Sequence, residues 1–346
     1  MTDRFLRQKT LDFIGESGQS RLFRAHAVLI GLGAIGCTTA DLLARAGLAS
    51  LTLIDGDTVD LTNLHRQSLF TQADAQQALP KVQAATNRLL AIDPALRITP
   101  IAQRVSPENA DQLVPPCDLI LDGTDNYDAR YLLNDLAVKR GVPLCYAGAV
   151  GASGMAMTIL PHRSACLRCV FPDPPETHET CESAGVFPPA VYLAASTASS
   201  DALRLLAGHS GAIGNVLTRF DTRTGHIAQT RVERDASCPC CGEGKFEFLE
   251  KREQGVRVEA VCGKGAVRVM PGAASGAALD RIAARCREKD ALVEVSPYLV
   301  RARTVVGGRP VDATFFGDGR AEVLTSDERV AREVYERIVA PVLSGH

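Results

Sequence analysis

Four groups of residues in this 346-residue sequence have types and spacings that could do chemistry. The first is Gly31-Leu-Gly33-Ala-Ile-Gly36, which directly follows an apolar run at 27–30; Asp55 closes the next apolar run. Glycines so spaced allow a tight turn, let the backbone approach a phosphate and pack a helix onto a strand, while the acid takes ribose hydroxyls. The second group is Asp57, Asn63, His65, Arg66 and Gln67, with Lys81 opening a later helix. Their donors suit a phosphate chain carrying more charge than a bridging pyrophosphate, with His65 a candidate for packing on the nucleotide. The third is Asp125 beside Asn126 in Gly123-Thr-Asp-Asn126, a hard carboxylate suited to Mg²⁺. The fourth is Cys166-x-x-Cys169 with Cys238-x-x-Cys241, which reads as a closed, tetrahedral structural zinc site with Cys240 spare.

Elements must bring the first three groups to one mouth, and the patterning supplies them. Ile35, Leu42, Leu43 and Ala46 recur at near-helical spacing after the glycine loop, and Gly47 stops that helix. With the strands that flank it, this makes a β-α-β unit whose helix N-terminus faces whatever sits above the strand ends. A helix over 80–91 with Pro80 in its first turn, strands near 98–104, 118–122 and 142–147, and a helix near 127–140 continue the rhythm. The fold class expected is α/β, a doubly wound, mostly parallel Rossmann-like sheet. Residues 171–189 read as an irregular crossover above the nucleotide site, followed by a helix over 190–207 and strands at 215–222 and 225–233.

A boundary is expected at 245–256, dividing the chain into 1–248 and a small C-terminal α/β domain, 249–346. That domain should hold a helix near 277–289, three strands between 291 and 324, and a helix opened by a Thr325-x-x-Glu328 capping box. Val330, Val334 and Ile338 give this last helix an apolar face, and Pro341 should end it.

Composition narrows the function. Hydrophobic residues at 46% and charged residues at 23% are those of a soluble globular chain. With 38 Lys+Arg against 40 Asp+Glu, neither nucleic acid nor an anionic membrane is the expected target. The first seventeen residues lack a signal-peptide apolar core, and no apolar stretch is long enough to span a membrane, so a cytoplasmic location is expected. Eleven cysteines cannot all pair, which favours metal binding or catalysis over a disulfide framework. Cys37, Cys117 and Cys145 read as small core residues and His178 as a solvated loop residue.

With GLGAIG (31–36), LIDGDTVDLTNLHRQ (53–67), PKV (80–82), LDGTDN (121–126) with Arg130 and Asn134 beyond it, the CxxC pairs and TCESAGV (180–186), the chain resembles the ThiF/MoeB/HesA family. These are bacterial relatives of ubiquitin-activating enzymes, and the likeness spans roughly residues 4 to 245. It implies that 1–248 is an adenylation domain using ATP and Mg²⁺ to adenylate the C-terminal glycine of a small ubiquitin-like sulfur carrier, ThiS- or MoaD-like. By the same resemblance Asp55 would bind ribose, and Asn63, Arg66 and Lys81 the phosphates, with Gly31, Gly33, Gly36, Asp57, Gln67 and Asn126 around the nucleotide. Asp125 would hold Mg²⁺, and Arg7 would reach the phosphates from the partner subunit of a homodimer. Cys181 would bond to the carrier or take part in sulfur transfer, or be merely structural. A cysteine desulfurase or another sulfur donor would be a further partner.

A carboxylate is already a nucleophile, so adenylation needs no Ser/His/Asp constellation, and the sequence shows none. Two other readings compete: an NAD(P)- or FAD-dependent oxidoreductase, resting on the glycine loop and Asp55, and a non-catalytic nucleotide-binding scaffold. The first leaves Arg66, Lys81, Asp125 and the cysteine pairs unexplained. The second has no need of Mg²⁺ chemistry. Residues 249–346 contain no rhodanese-type loop; the surroundings of Cys262, which come nearest, read as strand.

Overall fold

Strand β1 (His26–Ile30) sits at the middle of the larger unit and is apolar on both sides. Ala27 and Leu29 enter one core while Val28 and Ile30 enter the other. A continuous apolar run is what a parallel strand covered on both faces requires. β2 (Ser50–Ile54) and β3 (Arg97–Ile101) extend the sheet on one side of β1, β4 (Leu119–Asp122) and β5 (Leu144–Val150) on the other, all parallel. β6 (Ser153–Ile159), β7 (Val216–Asp221) and β8 (His226–Arg231) then add an antiparallel edge, giving the order β3-β2-β1-β4-β5-β6-β7-β8. The hairpin partner β6 is not among the strands expected from the sequence.

The helices Ala34–Arg45, Lys81–Ile92 and Pro188–Leu206 cover the face that holds Leu29, and Tyr127–Arg140 covers the face that holds Val28. Burying a leucine such as Leu29, which has no exposed surface, contributes about 1.5–3 kcal/mol. The first of these helices ends as expected: Gly47 takes φ +84° and Leu48 N donates to the Leu43 carbonyl. Because the chain winds outward from β1 in both directions, the sheet reverses between β1 and β4. The crevice at the carboxyl ends of those two strands is where such sheets receive ligands.

The computed structural model describes residues 3–174, 184–211, 213–251, 255–261, 265–271, 278–289 and 291–344. They divide after Lys251 into two units. The second is a six-stranded antiparallel sheet, order β11-β12-β13-β14-β10-β9, with β9 Arg257–Val261, β10 Ala266–Met270, β11 Leu292–Val295, β12 Leu299–Val306, β13 Arg309–Phe316 and β14 Ala321–Val323. Val269, Val300 and Phe315 pack against Ile282 of the helix Leu279–Arg287 and Ile338 of the helix Glu328–Leu343. Four strands, not three, lie between 291 and 324; the turn at Gly307 and Gly308, both at positive φ, folds a long run into a hairpin.

The last helix differs from expectation at both ends. Asp327 caps it, accepting from Arg329 N, while the Thr325 hydroxyl accepts from Asp327 N, so no capping box forms. Pro341 lies inside the helix, and the Arg337 carbonyl four residues before it accepts instead from Arg285 Nε at 3.4 Å. No described helix is long and apolar enough to cross a membrane.

Candidate nucleotide site and cysteine cluster

The turn after β1 is built from backbone alone. Gly31 stands at φ +88°, its N–H donates to the Ile54 carbonyl, and Gly123 N donates to the Ile30 carbonyl. A Cβ on Gly36 would lie 2.0 Å from the Gly31 carbonyl oxygen, and one on Gly31 would lie 2.6 Å from Gly123. No side chain fits at Gly31 or Gly36, nor at Gly123, whose Cβ would lie 2.3 Å from the Gly31 carbonyl oxygen. Gly33 differs: its Cβ would meet only the Gly123 oxygen, at an ordinary 3.5 Å. Gly33 also begins the Ala34–Arg45 helix, whose first amides receive no side-chain cap. They are left for an anion.

Asp55 ends β2 at the base of this turn. Its Oδ2 accepts from Leu32 N at 2.6 Å and its Oδ1 from Asp57 N at 2.7 Å. A carboxylate has about four lone-pair sites, so both oxygens keep capacity for ribose hydroxyls. Burial raises the Asp55 pKa above the ordinary aspartate value, and the Lys81 charge pulls it part of the way back. The Asp57 carbonyl accepts from Lys81 N, and Val59 N donates to Leu79, so the segment after Asp55 is sewn to the start of the Lys81–Ile92 helix. That seam sets Lys81 Nζ 3.6 Å from Asp57 Oδ2. Burial works against the Lys81 ammonium, but Asp55, Asp57 and Asp125 outweigh it and hold its pKa above the ordinary lysine value. Arg104, which sequence reasoning missed, joins this group with Nε 3.8 Å from Asp57 Oδ1.

Asn63 ends a short 3-10 helix, Leu61–Asn63, and His65, Arg66 and Gln67 follow it. Arg66 Nη1 donates to the Thr62 carbonyl at 2.8 Å, and His65 is exposed with Nδ1 against the same carbonyl. Gln67 is buried, and its Oε1 has no hydrogen-bond partner among the described residues.

At the end of β4, Asp122 Oδ1 accepts from both the amide and the hydroxyl of Thr124, at 2.9 and 2.6 Å. Asp125 is exposed, and its charge is felt by Lys81 and by Arg130. The Asn126 side-chain oxygen caps the Tyr127–Arg140 helix through Ala129 N at 2.8 Å, which leaves its amide nitrogen and the oxygen's second lone pair for a ligand. Gly123 and Asp122 stood in the LDGTDN motif without a role of their own, and Arg104 lay outside the residues singled out in the sequence. Gly123 had a detectable signal, since it follows an apolar run as Gly31 does.

The same helix reaches the cysteine cluster. Cys166, Cys169, Cys238 and Cys241 place their sulfurs within 4.8 Å of one another. Neighbouring sulfurs are 3.6 Å (Cys166–Cys238), 3.9 Å (Cys166–Cys169) and 3.4 Å (Cys169–Cys241) apart. Zn–S bonds of about 2.3 Å in a tetrahedron put sulfurs about 3.8 Å apart, so four thiolates stand where such a metal needs them. Hydrogen bonds from Cys240 and Cys241 hold the Cys166 thiol well below its ordinary range, while burial pushes Cys238 up to about 11. Thiols this crowded cannot all ionise until a dication compensates them. Cys240 is outside the four and accepts from Asn134 Nδ2 at 3.2 Å; the Asn134 oxygen accepts from Leu167 N beside Cys166.

Other expected residues fare differently. Arg7 lies in a short helix, Leu6–Lys9, that Gln8 ties to Gln19 and to the Ala46 carbonyl; its own side chain is exposed and makes no hydrogen bond or ion pair among the described residues. Cys37 and Cys145 are buried in the core, but Cys117 is a half-buried loop residue before β4. Cys181, His178 and Cys262 lie outside the described residues.

The sequence profile of the ThiF family matches residues 5–240. A Bacillus subtilis (strain 168) protein named sulfur carrier protein ThiS adenylyltransferase is 35% identical over 341 residues, 97% of this chain and 99% of that protein. An Escherichia coli (strain K12) protein of the same name is 36% identical over 69% of this chain and 94% of its own length. The E. coli molybdopterin-synthase adenylyltransferase is 33% identical, covering 69% and 96%. Among solved structures, a crystal structure of E. coli MccB with ATP matches with TM-score 0.62 and 22% identity over 70% of this chain and 75% of that one, a likeness of fold.

Proposed function

The chain belongs to the ThiF family, and on that premise we propose that it catalyses ATP-dependent adenylation of a small ubiquitin-like sulfur carrier ending in Gly-Gly, ThiS- or MoaD-like. The observation that carries the reading is the buried Lys81 ammonium. It faces Asp55, Asp57 and Asp125 at the mouth of a turn where Gly31, Gly36 and Gly123 exclude side chains. The oxidoreductase reading, which rests on the glycine loop and Asp55 alone, leaves Lys81, Arg66 and Asp125 unexplained and is not favoured.

The chemistry follows from the groups present. A carboxylate oxygen of the carrier's terminal glycine attacks the α-phosphorus of ATP. The α–β phosphoanhydride bond breaks, pyrophosphate leaves, and the carrier retains AMP as an acyl-phosphate anhydride. The attacking group is already ionised, so the protein supplies placement and charge compensation in place of a base. Asp55 holds the ribose, and the free amides of the Ala34–Arg45 helix hold phosphate oxygens. Lys81, Arg66 and Asn63 meet the charge that grows on departing pyrophosphate. Asp125 would hold Mg²⁺, which supplies further charge neutralisation on the phosphates. Its exposure at the strand end, within reach of the Lys81 and Arg130 fields, suits a ligand arriving with ATP.

Cys166, Cys169, Cys238 and Cys241 would hold Zn²⁺ as a closed structural centre. The active form is read as a homodimer in which Arg7 acts on the neighbouring subunit's phosphates. Cys181 is assigned to the later sulfur-transfer step, fed by a cysteine desulfurase or another sulfur donor. Mass spectrometry of candidate carriers incubated with enzyme and Mg·ATP tests the reading. A carrier ending in Gly-Gly should gain one adenylate, and the same carrier without its last glycine should gain none. Failure of every such carrier to gain adenylate would overturn it.

A further inference from the structure

We infer that Arg130 and Asp122 are positioning residues that fix Asp125 by clamping the peptide before it, an inference that rests on the adenylation site just proposed. Thr124, the residue preceding Asp125, is held at every polar atom. Its N–H and hydroxyl both donate to Asp122 Oδ1, and its carbonyl accepts from Arg130 Nη2 at 3.2 Å. On the other side of Asp125, Asn126 is held by its bond to Ala129 N. Asp125 is therefore an exposed carboxylate between two immobilised neighbours, and it makes no hydrogen bond or ion pair of its own among the described residues.

The clamp is costly, and the cost argues that it serves more than packing. Arg130 is buried, with its guanidinium carbon 5.2 Å from the centre of the Tyr127 ring and 5.5 Å from that of Tyr146. No carboxylate stands within ion-pair distance of it among the described residues. Its Nε and the Asp122 Oδ2 are both buried without a hydrogen-bond partner. Apolar residues of like volume would fill this space at lower cost, since buried charges are expensive unless fully paired. Neighbouring Gly148 leaves the room: a Cβ there would lie 3.0 Å from the Tyr146 hydroxyl and 3.6 Å from Arg130 Nη2. What the two charged groups share is Thr124, and what Thr124 carries is Asp125. Loss of an outer-layer group that orients a metal-binding carboxylate lowers metal affinity about 10–100-fold.

The test compares Arg130→Met with Arg130→Lys in the full-length protein. Mn²⁺ binding in the presence of ATP and without carrier is read by electron paramagnetic resonance, and the Mg²⁺ midpoint by pyrophosphate exchange. Arg130→Met should weaken Mn²⁺ binding and raise the Mg²⁺ midpoint about 10–100-fold, and Arg130→Lys should recover part of the loss. A lowered melting temperature with both metal readouts unmoved would overturn the inference. If Arg130→Met does not fold, Thr124→Val removes one bond of the clamp without adding bulk; an unmoved metal midpoint there would equally overturn it. Asp125→Ala is run beside them. If that variant keeps full exchange, the metal assignment of the adenylation site falls and takes this inference with it. If Asp125→Ala is inactive while Arg130→Met leaves metal binding unmoved, only this inference falls.

Discussion

Gly123 and Gly31 meet backbone to backbone across the reversal of the sheet: a Cβ on Gly123 would lie 2.3 Å from the Gly31 carbonyl oxygen. Gly33, between Gly31 and Gly36, has room for a methyl group in the protein alone. The glycines of one motif thus separate by role. Gly123→Ala should lower stability by about 1–3 kcal/mol, the usual cost of overpacking. Gly33→Ala should stay within about 0.5 kcal/mol of wild type while weakening ATP binding at least about tenfold, because the missing side chain is needed only where phosphate approaches. Thermal melts with and without ATP distinguish the two.

How much of this could be read from the sequence depended on whether the signal was local. The β1 run, Gly47 and the apolar spacing of Ile35, Leu42, Leu43 and Ala46 carry their structure in neighbouring residues, and both CxxC pairs carry theirs in spacing. β6 carries a weaker signal: in Ser-Gly-Met-Ala-Met-Thr-Ile the large residues Met155, Met157 and Ile159 alternate with small ones and not with charged ones, and Gly154 lets the Phe220 ring lie against the backbone, where a Cβ would be 2.5 Å away. Arg104 was invisible because its partner Asp57 is brought to it only by the folded sheet; Asp122 bonds Thr124 two residues on, a local contact inside the LDGTDN motif. At the last helix a local signal misled, because Asp327 stands closer to the helix start and takes the capping role from Thr325.

The cysteine cluster should bring about one tightly bound Zn²⁺ per chain, since the four sulfurs already stand at tetrahedral spacing. Cys169→Ser or Cys241→Ser should release the metal and lower the melting temperature, because metal binding energy is folding energy. Cys240→Ser should keep it. Elemental analysis finding no zinc in protein prepared without chelator would refute the assignment.

Acidification should separate ATP binding from stability. Burial holds the Asp55 pKa above the ordinary aspartate value, so on lowering the pH its charge is lost earlier than for a surface carboxylate. ATP affinity should therefore begin to fall above the ordinary aspartate range, and Asp55→Asn should bind weakly with a flat profile. The sign for folding is opposite. A raised folded-state pKa favours the neutral form, so this group's stabilising contribution is full below the unfolded-state value and is lost as pH rises through the folded-state value. Calorimetric ATP titrations from about pH 8 to about pH 4 check the first part; a profile as steep in Asp55→Asn as in wild type would contradict it.

Arg7 should act in trans. An arginine that meets charge appearing only as pyrophosphate leaves should lower turnover far more than ATP binding when it is lost. Arg7→Ala and Asp125→Ala, each inactive alone, should regain part of the activity when mixed under conditions of subunit exchange, since a mixed dimer holds one intact site. A mixture as inactive as its parents, with exchange complete, would place Arg7 in cis or outside the reaction.

Isotope exchange between pyrophosphate and ATP in the presence of purified carriers bears most directly on adenylation itself. Exchange should require Mg²⁺ and a carrier ending in Gly-Gly, stop when the last glycine is removed, and be nearly abolished by Asp125→Ala while that variant melts as wild type does. Exchange that proceeds without any carrier, or persists undiminished in Asp125→Ala at saturating ATP, would contradict this reading.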